Sequence, residues 1–167
     1  MYRIILSILS VLACLKWGKW KNWKEYYPTI LYYIIGDLSY NILFYNKSLW
    51  EYSKLINHTF SIFFNAFFIA PSIIILFLTY LPGKLINNVW YILCWSCLMT
   101  FIEYLSSILG FIIYYNGWSI FWSLGFYCIG FSMLELHYKK PLPTWIISLG
   151  FAMIMLFVFH VQLDTIK

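Results

Sequence analysis

The chain has 167 residues, of which 63% are hydrophobic and 10% charged, with a formal net charge of +5 and a mean hydropathy of +0.77. A soluble domain carries roughly a quarter charged residues, so this chain has too few to cover a water-facing surface. Its lysines flank apolar runs and form no continuous basic face, which points to anionic lipid and membrane topology and away from nucleic acid.

Long apolar runs recur from end to end with no polar block large enough to fold separately. The expectation is one domain over 1–167, an all-α integral membrane bundle of six transmembrane helices. The first run, 2–17, is short for a span, but Arg3 and Lys16 can extend it by snorkelling. Arg3 followed by Ile4 to Leu15 also resembles a signal peptide, but Lys16 to Lys24 follow directly, so a retained helix is expected. In that basic stretch Trp17, Trp20 and Trp23 alternate with lysines, a pattern suited to the headgroup layer.

The second run, 27–45, carries Pro28 in its first turn, where the missing N–H costs nothing. The third, 57–81, contains Pro71, where it can kink, and stops at Pro82-Gly83. The fourth, 88–115, would measure ~40 Å as a straight helix, so it must tilt, bend near Gly110 or emerge from the bilayer. Asn116-Gly117 marks a turn before the fifth, 118–137, and Lys139-Lys140-Pro141 separates that from the sixth, 142–161.

The 1–2, 3–4 and 5–6 connections hold Lys16, Lys19, Lys21, Lys24, Lys84, Lys139 and Lys140. The opposite side holds Arg3, Lys47, Lys54 and Lys167. The positive-inside rule then places both termini outside the cytoplasm, in a multi-pass plasma-membrane protein.

Two acids, Asp37 and Glu103, fall inside these apolar runs with no Lys or Arg in helical reach. An ionisable group at bilayer depth costs at least ~2.5–3.5 kcal/mol, so it requires a partner, a water-filled cavity or a proton. Each lies on a polar seam. Tyr33, Asp37 and Asn41 recur every four residues on the second helix, with Tyr40 beside them. His58, Ser61, Asn65 and Ser72 share a stripe on the third helix, and Ser96, Thr100, Glu103, Ser107 and Gly110 share one on the fourth.

Polar seams in lipid turn towards each other. By helical rise, Asp37 lies ~14 Å and Glu103 ~22 Å from the cytoplasmic side, and Asn65 lies ~12 Å from the other. All three then share a central slab. The expected site is a midplane pocket of Asp37 and Glu103, with Asn41, Asn65, Tyr33 and Thr100 as neutral donors and acceptors. His58, near the outer surface, would guard its entrance. A cation, a proton or a small polar ligand fits such a site; the sequence specifies no cofactor and no particular metal.

Glu135 precedes Lys139 by four residues and reads as an exposed pair. His137 and His160, near helix ends, read as interfacial. The four cysteines, Cys14, Cys94, Cys97 and Cys128, all sit in apolar runs. Cys94-Trp-Ser-Cys97 has the spacing of thiol oxidoreductases but lies too deep to meet an outer substrate, where burial would quiet it. No phosphate loop, zinc helix or nucleophile elbow is present. Alternative readings are a non-catalytic subunit of a membrane complex, with a membrane-protein partner or a second copy, and an intramembrane enzyme acting on thiols or lipid.

One segment, Tyr26-Tyr-Pro-Thr-Ile-Leu-Tyr-Tyr-Ile-Ile-Gly-Asp37-Leu-Ser-Tyr-Asn41, is followed in order by Leu49-Trp-Glu-Tyr52, Asn57-His58 and Pro71-Ser72. Glu103, Asn116-Gly-Trp118, His137-Tyr-Lys-Lys-Pro141 and Trp145 complete the series. Together these resemble a family of small, uncharacterised multi-spanning membrane proteins of spore-forming Gram-positive bacteria. The resemblance implies a bacterial membrane location and that Asp37, Asn41, Asn57, His58 and Glu103 belong to the family's recurrent pattern. It implies no particular chemistry.

Overall fold

A computed structural model describes residues 2–52 and 58–161, without the side chains of Tyr2, Arg3 and His58. Among the described residues the fold is all-α with one short ribbon. The helices are α1 (Tyr2–Trp17), α2 (Trp23–Leu43), α3 (58–79), α4 (Leu85–Ile108), α5 (Ile120–Lys139) and α6 (Pro141–Val158). The strands β1 (Trp50–Tyr52) and β2 (Ile112–Tyr114) pair antiparallel.

Four helices are long and apolar enough to cross a membrane, namely α3 from Thr59, α4, α5 and α6. The shorter α1 is apolar, whereas the longer α2 is diluted by Lys24, Glu25, Asp37 and its tyrosines. α5 touches α2, α4 and α6, while α3 packs between α1 and α2.

Two helix boundaries differ from expectation. α2 begins at Trp23, after a 3₁₀ turn over Trp20–Asn22, which places Pro28 inside the helix beyond its first turn. α4 stops at Ile108, and the chain reverses at Gly110, whose φ is +73°. There the Gly110 N–H donates to Ser107 O at 3.0 Å and the Phe111 N–H to Ser106 O at 2.8 Å, closing the helix with a left-handed glycine. Ile112, Ile113 and Tyr114 then suit a pleated strand better than another helical turn.

The third helix widens rather than kinks. Asn65–Ile69 forms a π-turn, in which the Ala70 N–H donates to Asn65 O, five residues back. Pro71 follows, with no N–H to give and a ring that crowds the carbonyl four residues earlier; the wider turn relieves that clash.

Burial is inverted relative to a water-soluble protein. Leu85, Phe121 and Phe157 are about four-fifths exposed, while Ser7, Thr29, Ser61, Ser96, Ser106 and Thr144 are buried. Small hydroxyl residues where helices meet, with large apolar residues outside, are what lipid solvation selects. One core cluster gathers around Phe77, with Ile74, Phe131 and Leu134; the other lies near the ribbon around Leu49, Trp118 and Phe159.

Side-chain bonds fix which connections share an end. The Lys19 N–H donates to Thr79 Oγ1 and the Tyr80 hydroxyl to Trp17 O, joining the first and third connections. Tyr138 donates to Glu25, bringing the fifth to the same end. The second and fourth connections meet at the other end as β1 and β2, in the register Trp50↔Tyr114, Glu51↔Ile113 and Tyr52↔Ile112.

Candidate functional site

Just beneath the ribbon, α2 and α3 bring polar side chains together. The Asn65 amide lies 3.5 Å from Asp37 Oδ2 and 3.4 Å from the Tyr33 hydroxyl. One turn along α2, Asn41 Nδ2 donates to the Asp37 backbone carbonyl at 2.7 Å. Asn65 opens the π-turn, so the widened backbone sits at the residue that reaches across to the acid. Such turns recur at functional sites because they re-aim side chains out of the α register.

These groups edge a cleft lined by Asp37, Tyr40, Asn41, Trp50, Tyr52, Ile62 and Asn65. It is narrow, with room for about one water-sized guest. Its aromatic wall is a column of stacked rings. Tyr40 lies on Trp50 at 4.3 Å with the planes 7° apart, and on Phe44 at 4.9 Å. Trp50 also meets Trp118 at 4.8 Å, with the planes tilted by 47°.

Glu103 is not among the residues lining this cleft. Its Oε1 accepts from the Tyr114 hydroxyl at 2.8 Å and from Ser123 Oγ, and its Oε2 accepts from the Tyr127 hydroxyl at 2.7 Å. Trp118 Nε1 donates to Ser123 Oγ at 2.9 Å, extending the network. Three hydroxyl donors satisfy a carboxylate without any ligand. Burial, and then the Glu103 charge, push the Tyr114 hydroxyl above its ordinary value, so it stays protonated and donating.

The two clusters are neighbours. Trp50 lines the cleft while its cross-strand partner Tyr114 holds Glu103, and Tyr127 lies within electrostatic range of Tyr33 and Tyr52. The shared layer is shallower than the predicted midplane. Asp37 is ~9 Å before the end of α2, Glu103 ~8 Å before the end of α4 and Asn65 ~10 Å into α3. Both α2 and α4 start about a turn earlier than expected, and α4 ends earlier, shifting Asp37 and Glu103 towards the ribbon.

Of the remaining predicted site residues, Thr100 turns its hydroxyl onto its own helix, donating to Ser96 O at 2.8 Å. The His58 side chain lies outside the described residues. Tyr40, Trp50, Tyr52 and Ile62 were not anticipated as lining, nor Tyr114, Ser123 and Tyr127 as partners of Glu103. The last two have a legible signal, since Ser123 and Tyr127 are four residues apart on one face of α5.

Three other polar groups resolve differently. His137 is buried, not interfacial: its Nδ1 lies 3.1 Å from Thr29 Oγ1, and its ring stacks on Tyr32 at 4.3 Å. Glu135 pairs with Lys139 at 2.5 Å as expected and also accepts from buried Asn88. Cys94 and Cys97 are free thiols on the outer surface of α4, a helix long and apolar enough to cross a membrane, and face away from the bundle.

Fold and site together define an all-α, multi-helix protein of membrane character with a carboxylate cleft beneath an aromatic ribbon. Beyond that class no relative is identified: no family model, curated protein or solved structure matches this chain.

Proposed function

We propose that this is a six-span bacterial plasma-membrane protein whose Asp37 cleft binds or passes a cation, a proton or a small polar ligand. The observation that carries the proposal is the convergence of Asp37, Asn41 and Asn65 on one narrow cleft at a π-turn. A half-buried acid between apolar helices is costly, and structural glue does not require it. α2, ~31 Å long, reaches across a hydrocarbon core despite its polar residues, and α1, ~24 Å long, reaches it with Arg3 and Lys16 at its ends.

The alternating arrangement of the connections gathers the seven lysines at the end opposite the ribbon. With that end cytoplasmic, both termini and the cleft mouth face outward. Glu103 serves in this reading as the anchor of the ribbon rather than as a second ligand.

The test is reconstitution in liposomes, with proton-sensitive and cation-sensitive dyes inside and wild type compared with Asp37→Asn. Flux or binding lost with that isosteric change supports the site. If Asp37→Asn behaves as wild type in every assay, the proposal is wrong.

A further inference from the structure

We infer that the end of the bundle opposite the ribbon is a docking surface for anionic phospholipid headgroups. The inference rests on the reading of this chain as a six-span membrane protein, and not on the Asp37 cleft. It begins with the charges that collect there. Lys16, Lys19, Lys21 and Lys24 lie at the elbow between α1 and α2. Lys84 lies between α3 and α4, with Lys139 and Lys140 where α5 gives way to α6, and all seven are exposed. The bonds from Lys19, Tyr80 and Tyr138 bring these three connections to one end.

Little at that end balances the lysines. Glu25 and Glu135 are its two carboxylic acids. Glu25 accepts from Tyr138, and Glu135 accepts from Asn88 and pairs with Lys139 at 2.5 Å. That is the one ion pair among the described residues, so the other six lysines keep charges that no carboxylate there pairs. Three of the six also oppose their own helices. Lys24 lies in the first turn of α2, and Lys84 and Lys140 stand immediately before α4 and α6. The positive end of a helix dipole disfavours a cation in those places, and a layer of anions outside offsets the repulsion.

Beside the cations lie groups that suit the rest of a lipid. Trp17, Trp20 and Trp23 are each about half exposed, and their indole N–H groups make no hydrogen bond among the described residues. Such rings settle at headgroup depth, where the N–H finds an ester or phosphate oxygen. Lys16 Nζ lies 4.9 Å from the centre of the Trp17 ring, which places a cation beside one of them. Leu85 and Leu142, next to Lys84 and Lys140 in the first turns of α4 and α6, are about four-fifths exposed. A soluble acidic partner would answer the charges and leave these leucines uncovered. A phospholipid answers both, with its phosphate on the lysines and its chains on the leucines.

The elbow holds this surface in a fixed shape. The Lys19 N–H donates to Thr79 Oγ1 at 3.1 Å and the Tyr80 hydroxyl to Trp17 O at 2.7 Å. Gly18 allows that approach, since a Cβ there would lie 2.7 Å from Cys14 O and 3.2 Å from Ile75 Cγ2. A backbone already fastened to α3 loses little freedom when lipid binds. At the ribbon end, by contrast, Lys47 Nζ already donates to His160 O at 3.2 Å.

The experiment reconstitutes the full chain in phosphatidylcholine vesicles containing a trace of spin-labelled phosphatidylglycerol or spin-labelled phosphatidylcholine. Electron paramagnetic resonance then compares how much of each label the protein holds. Phosphatidylglycerol should be preferred about fivefold or more, the gain that a single lysine at a membrane surface supplies. Combining Lys16→Gln, Lys19→Gln, Lys21→Gln and Lys24→Gln should at least halve that preference. Raising NaCl from about 0.1 M to about 1 M shortens the screening length from ~10 Å to ~3 Å and should act in the same direction. Lys47→Gln, at the opposite end, should match wild type.

If the fourfold variant does not reconstitute, Lys21→Gln alone and the salt series on wild type decide. Equal retention of the two labels by wild type overturns the inference, as does a preference that neither the elbow substitutions nor salt reduces. An equal loss with Lys47→Gln would trace the preference to net charge and also overturn it. So would polyglutamate binding to the protein in neutral vesicles without any preference between the phospholipids, which would assign the lysines to a soluble acidic partner. If alkaline carbonate strips the protein from the vesicles, the membrane reading falls and this inference with it.

Discussion

Replacing Glu103 by Ala should destabilise this protein far more than replacing Asp37 by Asn, although both acids lie in the same polar layer. The Glu103 carboxylate accepts from Tyr114, Ser123 and Tyr127, with Trp118 donating onward to Ser123. Truncation removes three bonds at once and leaves hydroxyls from β2 and α5 without their acceptor. Interhelical hydrogen bonds in membranes average ~0.6 kcal/mol with a maximum near ~1.7. Three therefore give ~2–5 kcal/mol, the upper half applying if the orphaned hydroxyls find no water.

Asp37→Asn keeps the shape of the side chain and the one contact with Asn65 that it alters is long, 3.5 Å, so the loss of that bond should stay below ~1 kcal/mol. The assay is reversible unfolding in mixed micelles followed by circular dichroism, with thermal unfolding as a check. If Glu103→Ala costs no more than Asp37→Asn, the hydroxyl network is not holding the ribbon and the division of roles is refuted.

The ribbon should also respond to pH through Tyr114. Its folded value is raised above the ordinary 10.0 by burial and then by the Glu103 charge. The unfolded chain therefore loses this proton first, and the Tyr114 contribution is complete below about pH 10 and lost as pH climbs through the higher folded value. Hydrogen exchange over 50–52 and 112–114 should accelerate there in wild type, and Tyr114→Phe should flatten that rise while removing about 0.5–1.5 kcal/mol. Pro71→Ala restores an N–H and removes the ring clash, so α3 can regain α register. The helix should gain stability while Asp37-dependent binding or flux falls; unchanged function would show that the π-turn does not place Asn65. For His137, the stack on Tyr32 matters more than the Thr29 bond. His137→Phe should cost about 1 kcal/mol or less and His137→Ala about 2–4 kcal/mol in the same unfolding assay, and equal losses would refute the stacking argument.

Hydropathy made the six helices legible because lipid imposes long uninterrupted apolar runs. α1 matches its predicted limits, 2–17, and the other ends move by a few residues, except where α4 stops short at Gly110. Helical spacing also made part of the site legible, since Asp37 and Asn41 fall one turn apart and both line the cleft. It could not show that the Glu103 seam meets different partners, because those come from β2 and α5. A three-residue strand carries too little periodicity to be read, so the contribution of Trp50, Tyr52 and Tyr114 was hidden. Thr100 shows a limit of another kind: it lies on the seam, yet its hydroxyl bonds back to Ser96 O. His137 looked interfacial from its place near a helix end, but sequence position says nothing about the Thr29 and Tyr32 side chains that bury it.

What separates the two acids is the supply of donors around them, not depth or helix. Glu103 stands where a tyrosine from β2 and a serine and a tyrosine from α5 can all reach it, and their hydroxyls disperse its charge into the packing. Asp37 stands where α2 meets the π-turn of α3, with the Asn65 amide N–H directed at its carboxylate and the Asn41 amide N–H at its backbone carbonyl. The ribbon joins the two, because Trp50 walls the Asp37 cleft and its cross-strand partner Tyr114 is bonded to Glu103. The carboxylate that accepts three hydroxyls fixes the wall; the other edges the cleft itself. The arrangement needs both, since a cleft this narrow loses its shape once its wall can move.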